Sequence, residues 1–480
     1  MVVAGPSLGL LSEVQGNILQ AYGTHYRAVN HLILAVADPT AARRALARMV
    51  DGDRSTPDVT SGERPPREAG FRWCLNIGFT YPGLMALGVP RTSLDSFPPE
   101  FVEGMNARAA RLGDVGESAP VNWVSGLARP EQVHLIVTVH GWCRSDVESI
   151  TQQVLGAERG RAFRLVSSEP LDGDALFDER TGLRQVHFGY ADGISQPRFV
   201  GIHDPEDYED DLPLLPIGVV LLGYPSATPH VSWQVPSPDV LGRNGAFNAF
   251  RVLGQDVPGF EAFLAATTVS AGSVGAAGSV GAAPDVDVEL AAAKVCGRWR
   301  NGAPLSLAPT RAEADAFDLT RLNDFDYIDD DPDGLKCPIG AHIRRNNPRG
   351  AHIVQRSANR TRALIRRGVP YGPVWDPSDP NSFALPRGLL GNFICGSLAA
   401  QFEAVQYDWI NMGFQDPRIT GTNDPMVGAN YPGTSCFSWP RDGAQTVVMR
   451  GFTRFVFTRG GAYTFLPSIP AIRWIAARGA

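Results

Sequence analysis

Short aliphatic runs alternate with amphipathic stretches along the first third of the chain, and this order constrains the fold most. The run His31 to Ala37 (HLILAVA) is typical of a buried strand, and Thr40 to Val50 has the apolar spacing of a helix. A second predicted strand, Phe71 to Thr80, precedes another short helical stretch, and the pattern returns at Gln132–His140 and Ser145–Gly156. Strands separated by helices and loops in this way predict a ferredoxin-like α+β unit with an antiparallel sheet.

A similar set of elements is predicted in the second half of the chain. It begins near Ile217 (IGVVLLGY), where an apolar run predicts a strand. Leu389–Cys395 predicts a strand that runs into a helix over Ser397–Asn411. Phe452–Leu466 predicts a hairpin that turns at Gly460–Gly461. The sequence therefore predicts two similar ferredoxin-like α+β domains.

Size and composition limit the classes of protein to consider. A chain of 480 residues exceeds the usual single domain of about 100 to 150 residues. We expect an N-terminal domain over residues 1–190 and a C-terminal domain over residues 191–480. The net charge of −7 argues against nucleic acid as a partner. No apolar run approaches the roughly 18 residues of a membrane-spanning helix, so no membrane partner is expected.

Cysteine usage predicts the compartment. The six cysteines are scattered and form no Cys-x-x-Cys pair. No basic residue precedes Arg27 and no long apolar core follows the N-terminus, so a secretory signal is not expected. These features predict reduced thiols and a cytoplasmic protein.

Two stretches carry candidate chemistry. GYADGISQP, residues 189–197, places Asp192 between glycines, where a side chain can face a ligand. KCPIGAHIRRNNPR, residues 336–349, places His342 just before Arg344 and Arg345. No histidine pair has the i,i+4 spacing of a helical zinc site. A single axial histidine suits heme, and its two propionates suit planar guanidinium groups.

These stretches together resemble the dye-decolorizing peroxidase family, whose signature is Gly-x-x-Asp-Gly with a heme-ligating histidine further on. Here the signature corresponds to Gly189, Asp192 and Gly193, with His342 as the candidate iron ligand. Further similar landmarks, such as VQGNILQAYG, VCGRWRNGAPL and QFEAVQYDWIN, spread the resemblance over nearly the whole chain. The resemblance implies two ferredoxin-like domains in a dimeric α+β barrel-like fold, with heme b (iron protoporphyrin IX) held mainly by the second. The length of the chain points to the larger bacterial subfamily.

Cleavage of hydrogen peroxide requires two further functional groups, a proton carrier and a cation. A proton must move from the inner to the outer oxygen, and a cation must stabilise the leaving oxygen. Asp192 is the candidate proton carrier. Arg366 is the candidate cation, because RALIRRGVPYG resembles the family's stretch in which an arginine lies four residues before a proline, here Pro370. Arg367 is less expected, since adjacent residues of an extended segment face opposite ways.

The resemblance also indicates the surroundings of the heme. Asp424, in NDPMVG, resembles the family's Asp-Pro-aliphatic stretch and is the candidate partner for the far nitrogen of His342. Family members commonly read Gly-Leu-Leu-Phe where this chain reads GLLGNF. Leu389 therefore matches a residue that lines the heme pocket, but Gly391 occupies the aromatic position. Phe393 is the aromatic residue that could line the pocket instead.

The resulting hypothesis is a heme b peroxidase that uses hydrogen peroxide to oxidise organic reductants, including dyes and phenols. Bulky reductants would donate electrons through surface tyrosine or tryptophan residues. The alternative is a heme-binding or heme- or iron-handling protein without significant turnover, which would need His342 but not Asp192 together with Arg366. A non-heme binding module of the same fold is a further alternative. The expected partners are hydrogen peroxide and small-molecule or dye reductants, and a homo-oligomer is a possible assembly.

Overall fold

The computed structural model describes the chain except for residues 1–8, 21, 23–24, 53–55, 64–69, 125, 168, 205, 207–211, 271–286, 352–355 and 478–480. The strands are β1 Ala28–Val36, β2 Trp73–Phe79, β3 Leu135–Gly141, β4 Phe163–Leu165, β5 Asp172–Asp174, β6 Leu176–Phe177, β7 Arg184–Gln185, β8 Ala246–Gln255, β9 Ile365–Tyr371, β10 Gly388–Cys395, β11 Cys436–Arg441, β12 Ala444–Arg450 and β13 Val456–Leu466.

Both halves of the chain have the same strand order. The large sheet runs β4-β1-β3-β2-β13-β8-β10-β9, and its strand pairs are antiparallel. Numbered within its own half, each group of four strands follows the order 4-1-3-2. The predicted pair of ferredoxin-like α+β units is therefore confirmed. The domain boundary near residue 190 stays a prediction, since the two groups share one sheet.

The sheet bends back on itself. Phe465 of β13 pairs with Phe79 of β2, which joins the two groups of strands. At the other side, β5 pairs with β1, and the backbone of Gly173 lies against the carbonyl of Pro370 in β9 so closely that a Cβ would not fit. The outer strand of the second group therefore approaches the first group, as in an α+β barrel.

The predicted hairpin over Phe452–Leu466 is wrong. This segment contains one continuous strand, β13, and its pairing with β8 shifts between Thr458 and Gly460. A Cβ on Gly460 would collide with the Leu127 side chain, and one on Gly461 would collide with the sulfur of Met105. The two glycines therefore permit close packing beside a bulge rather than a turn.

The predicted strand at Ile217 is also wrong. Ile217–Val219 forms a 3₁₀ turn, and the aliphatic residues that follow are buried in turn and bend conformations rather than in a strand. The first strand of the second group is β8, which the sequence did not predict. The strand predicted at Leu389–Cys395 is present as β10, and the helix after it consists of π-helical turns at Leu398–Glu403 and Val405–Asn411.

Helices cover the sheet and fill the connections. Of the described helices, α3 and α15 pack against each other. None of the helices in the described part of the chain combines the length and apolar character needed to cross a membrane. The α-helices are α1 Gly9–Glu13, α2 Gly16–Leu19, α3 Pro39–Asp51, α4 Tyr81–Ala86, α5 Arg91–Leu94, α6 Pro99–Ala107, α7 Arg144–Gly156, α8 Asp239–Gly242, α9 Val257–Ser270, α10 Val288–Cys296, α11 Arg311–Asp315, α12 Tyr327–Asp330, α13 His342–Asn346, α14 Arg356–Thr361 and α15 Ile469–Ala476.

Candidate active site

One large cavity brings most of the predicted site residues together. Its volume is about 1170 Å³. The lining includes the glycine-rich turn, strands β9 and β10, and helix α13. The predicted site residues in this lining are Asp192, His342, Arg366, Leu389 and Phe393.

His342 begins α13 and is held from behind by Asp424. The two side chains meet through His342 Nδ1 and Asp424 Oδ2, 2.9 Å apart, and Asp424 is fully buried. The other carboxylate oxygen, Oδ1, accepts the backbone N–H groups of Met426 and Val427 at 2.9 and 3.0 Å. Because Nδ1–H donates to this fixed carboxylate, Nε2 is the ring nitrogen available to a ligand.

The Asp424 carboxylate is stabilised in its charged form. Burial alone would raise its pKa, but the contact with His342, the charge of Arg345 and the Val427 N–H together lower the pKa below its ordinary value. A buried negative charge therefore lies directly behind the imidazole.

The backbone of the glycine-rich turn places Asp192 in the cavity lining. Gly189 and Gly193 have φ values of 81° and 74°, which favour glycine. The Ala191 N–H donates to the Arg300 carbonyl at 2.9 Å, and the Asp192 N–H donates to the Arg184 carbonyl at 2.7 Å. The turn is thus anchored at the carboxylate-bearing residue and at the residue before it.

Strands β9 and β10 present the remaining residues on one face. Arg366 pairs with Phe393, and Pro370 pairs with Leu389. Directly paired residues of antiparallel strands project to the same side, so Arg366, Leu389 and Phe393 share one face, and all three line the cavity. Arg367 alternates with Arg366, and its Nε donates to the Asn17 carbonyl at 3.0 Å. Burial lowers the pKa of Arg367 to about 10.

Phe393 covers the position where the sequence lacks an aromatic residue. Its Cε2 lies 2.9 Å from the point that a Cβ on Gly391 would occupy. The Phe393 ring also packs on Phe402, with 5.5 Å between ring centroids, and both rings line the cavity. An aromatic wall is therefore present, supplied from two residues further along β10.

The structure places Arg344 and Arg345 apart from the candidate site residues that line the cavity, and their role in cofactor binding stays a prediction. Neither residue is part of the cavity lining. Arg344 forms an ion pair with Asp331 at 3.1 Å and donates to the Cys337 carbonyl at 2.7 Å. Arg345 is 1% exposed and donates to the Thr422 carbonyl at 2.8 Å. Both guanidinium groups are held inside the protein by acceptors that the sequence pattern does not reveal.

We expect the Arg345→Met substitution to destabilise the fold without weakening cofactor binding. It leaves buried carbonyl groups without a donor, which costs about 1–3 kcal/mol of unfolding free energy for each lost partner. Denaturant unfolding would measure this loss, with the exposed Arg91, changed to Met, as the control. Unchanged stability combined with weaker cofactor binding would instead support the predicted role of Arg345.

Arg184 is a lining residue that the sequence analysis missed. It lies in β7 and borders the same cavity as Asp192. Burial lowers the pKa of Arg184, while the charge of Asp192 acts in the opposite direction. No motif marks Arg184, and its proximity to Asp192 becomes visible only in the folded chain.

Comparisons of the sequence and of the structure with known proteins match the same family. A family model described as "DyP dimeric alpha+beta barrel domain" matches residues 13–167. The chain is 31% identical to Peroxidase 2 of Mycetinis scorodonius over 98% of this chain and 88% of that protein. It is 28% identical to the multifunctional dye peroxidase DyP2 of Amycolatopsis sp. over 98% and 96%. A solved structure of a dye-decolorizing peroxidase in complex with 2,6-dimethoxyphenol has a TM-score of 0.78 at 28% identity, covering 97% of this chain and 99% of that one.

The similarity extends over almost the full length of this chain and of its relatives. Those relatives come from fungi as well as from a bacterium, so the bacterial subfamily stays a prediction. The chain is a peroxidase and belongs to the dye-decolorizing peroxidase family.

Proposed function

We propose that the chain binds heme b in the large cavity, with Nε2 of His342 as the iron ligand. One observation carries the proposal: His342, backed by the buried Asp424, lines the same cavity as Asp192 and Arg366. The donor set fits heme, because one imidazole meets a roomy cavity with apolar walls that include Leu389. When bound, heme supplies the iron that takes up the oxidising equivalents of hydrogen peroxide.

In this proposal, Asp192 and Arg366 act on the peroxide. Asp192 takes the proton from the inner oxygen and delivers it to the outer oxygen, which leaves as water. Arg366 stabilises the negative charge that develops on the leaving oxygen. Its Nη2 donates to the Ser195 carbonyl at 2.9 Å, which orients the guanidinium and leaves other N–H groups for the peroxide.

Asp424 and the pocket walls complete the site in this proposal. The Asp424 carboxylate keeps the proton of His342 on Nδ1 and increases electron donation by the imidazole. Leu389 and Phe393 exclude water and shape the space above the heme.

Phenols and dyes are the proposed reductants. Relatives of this chain are named dye-decolorizing peroxidases, and one related structure contains 2,6-dimethoxyphenol. Bulky dyes would transfer electrons through surface tyrosine or tryptophan side chains rather than enter the cavity. Cytoplasmic location is also proposed, supported by six free thiols, four of them buried. Self-association is proposed because the matching family domain is described as dimeric.

A single experiment tests this function against the alternatives. The chain is purified with added heme, its Soret band is recorded, and hydrogen peroxide is mixed in. We expect a Soret band that shifts on mixing and returns when a phenol is added. The absence of a Soret band would reject heme binding, and a band unmoved by peroxide would favour the heme-handling protein. The combined presence of Asp192 and Arg366 at the cavity supports the enzyme.

We expect the Asp424→Asn substitution to slow the reaction with peroxide by about 10- to 100-fold, the usual cost of losing a carboxylate behind a metal-bound histidine. The neutral amide keeps the shape but removes the negative charge behind the ring. Stopped-flow absorbance would measure the rate, and the reduction potential of the iron should rise. The exposed Asp95, changed to Asn, is the control. An unchanged rate and potential would contradict the role of Asp424.

A further inference from the structure

Gln196 attaches the loop that follows Asp192 to the outer edge of β9. Strand β9 ends the order of the large sheet, and its other edge pairs with β10. The Gln196 Nε2 donates to the Arg366 carbonyl at 3.1 Å, and the Arg366 N–H donates to Gln196 Oε1 at 3.1 Å. The carboxamide therefore makes the two hydrogen bonds that the backbone of a neighbouring strand would make.

Neighbouring contacts hold the same loop. The Ser195 carbonyl accepts Nη2 of Arg366 at 2.9 Å, and the Ile194 carbonyl accepts Nδ2 of Asn323 at 2.8 Å. Three successive loop residues are thus bonded, two of them to Arg366 itself. The side chain and the backbone of Arg366 are held by the same short segment.

A second attachment lies at the other end of the glycine-rich turn. His187 Nε2 donates to the Tyr371 carbonyl, also on β9, at 2.8 Å. The segment between His187 and Gln196 carries Asp192 and is therefore tied to β9 at both ends. Strand β9 in turn carries Arg366, so the two residues that act on peroxide belong to one connected frame.

We propose that Gln196 is a positioning residue that sets the distance between the Asp192 carboxylate and the Arg366 guanidinium. This inference rests on the proposed function, in which both groups must reach one peroxide molecule. Gln196 lies on the loop, four residues after Asp192, and bonds the backbone of Arg366, so a loss of its bonds frees both groups at once. Misplacement of a reacting group by about 1 Å can cost about 100-fold in rate.

A merely protective role for Gln196 would have different consequences. Side chains that cover a strand edge prevent pairing with other chains, and their loss lowers solubility or stability without changing the chemistry. Gln196 is half-buried, so its replacement leaves no large internal cavity. The rate of the peroxide step separates the two roles, and the exchange of the Arg366 amide hydrogen reports whether the hydrogen bond to Gln196 is lost.

The test compares Gln196→Ala and Gln196→Glu with the full-length, heme-loaded chain. In Gln196→Ala we expect the rate of the Soret change with peroxide to fall about 100-fold, while heme retention and the KM for the phenol stay unchanged. Hydrogen exchange at the Arg366 amide should become faster. In Gln196→Glu the carboxylate still accepts the Arg366 N–H but cannot donate to its carbonyl, so exchange should stay slow and the rate should fall less. Gln153→Ala, on the exposed face of α7, is the matched control.

The outcomes are separable from those of the proposed function. A wild-type peroxide step together with a Gln196→Ala rate within twofold of it would overturn the positioning role, and so would unchanged exchange at the Arg366 amide. A wild-type chain without a Soret band or without a peroxide step would instead reject the proposed function, and the positioning role with it.

Discussion

The His342→Ala chain, purified with added heme, is expected to show no Soret band. His342 supplies the proposed iron ligand, and its ring is fixed by the buried Asp424 at 2.9 Å. Loss of a carboxylate behind a metal-bound histidine already costs about 10- to 100-fold in metal affinity or activity, so loss of the ligand itself should cost more. Titration with hemin, followed by absorbance at the Soret maximum, measures the change in affinity.

Added imidazole should partly restore heme binding to this variant, because it can enter the space that the side chain leaves. The exposed His25, changed to Ala, serves as the control and should bind heme like the wild type. Retention of heme by His342→Ala with an unchanged spectrum would refute the ligand assignment.

The Asp192→Asn chain should bind heme normally but react with hydrogen peroxide about 10²- to 10⁴-fold more slowly, which is the usual contribution of a positioned proton carrier. Asparagine keeps the size of the side chain but cannot take up a proton. The rate constant of the Soret change after rapid mixing with peroxide measures this effect, with Asp95→Asn as the control.

The pH dependence of the same step gives an independent measurement. A carboxylate works as a base only while it is ionised, and asparagine has no ionisable group. The wild-type rate should therefore vary with pH through this carboxylate, and the Asp192→Asn rate should lose that dependence. Identical pH profiles for the two chains, or a variant as fast as the wild type, would remove Asp192 from the mechanism.

The N-terminal half could be predicted from its sequence because its signals are local. The strand predicted at His31–Ala37 is present as Ala28–Val36, and the helix predicted at Thr40–Val50 is present as Pro39–Asp51. Asp38 lies two residues after the strand and caps the helix by accepting the N–H groups of the two residues after Pro39. Aliphatic runs bounded by such caps therefore predict the same strands and helices that the folded chain contains.

The first strand of the second half was missed because its polar residues have distant partners. Strand β8 contains Arg251 and Asn248, both buried. Arg251 forms an ion pair with Asp114 at 2.7 Å, and Asn248 donates to Asn392 at 2.9 Å. The sequence shows only the polar residues, and these resemble breaks in a strand. The run after Ile217 led to the opposite error: it was predicted as a strand because its residues are aliphatic. A short aliphatic run alone does not distinguish a strand from a buried turn.

Within the candidate site, too, residues in local motifs could be predicted from the sequence, whereas contacts with distant partners could not. His342 and Asp192 lie in local motifs, so sequence reasoning could find them. The burial of Arg344 and Arg345 could not be predicted, because the acceptors that hold them, such as Asp331 and the Thr422 carbonyl, come from other segments. Gln196 was missed for the same reason, since its partner on β9 lies 170 residues further along the chain.

The Phe393 ring over Gly391 makes the two positions evolutionarily interdependent. A side chain added at position 391 would meet Cε2 of Phe393 at 2.9 Å, so the ring must move or be lost first. Moving the aromatic residue from position 393 to position 391 therefore requires a particular order of substitutions. A chain that gains a large residue at 391 while it keeps Phe393 has an overpacked pocket.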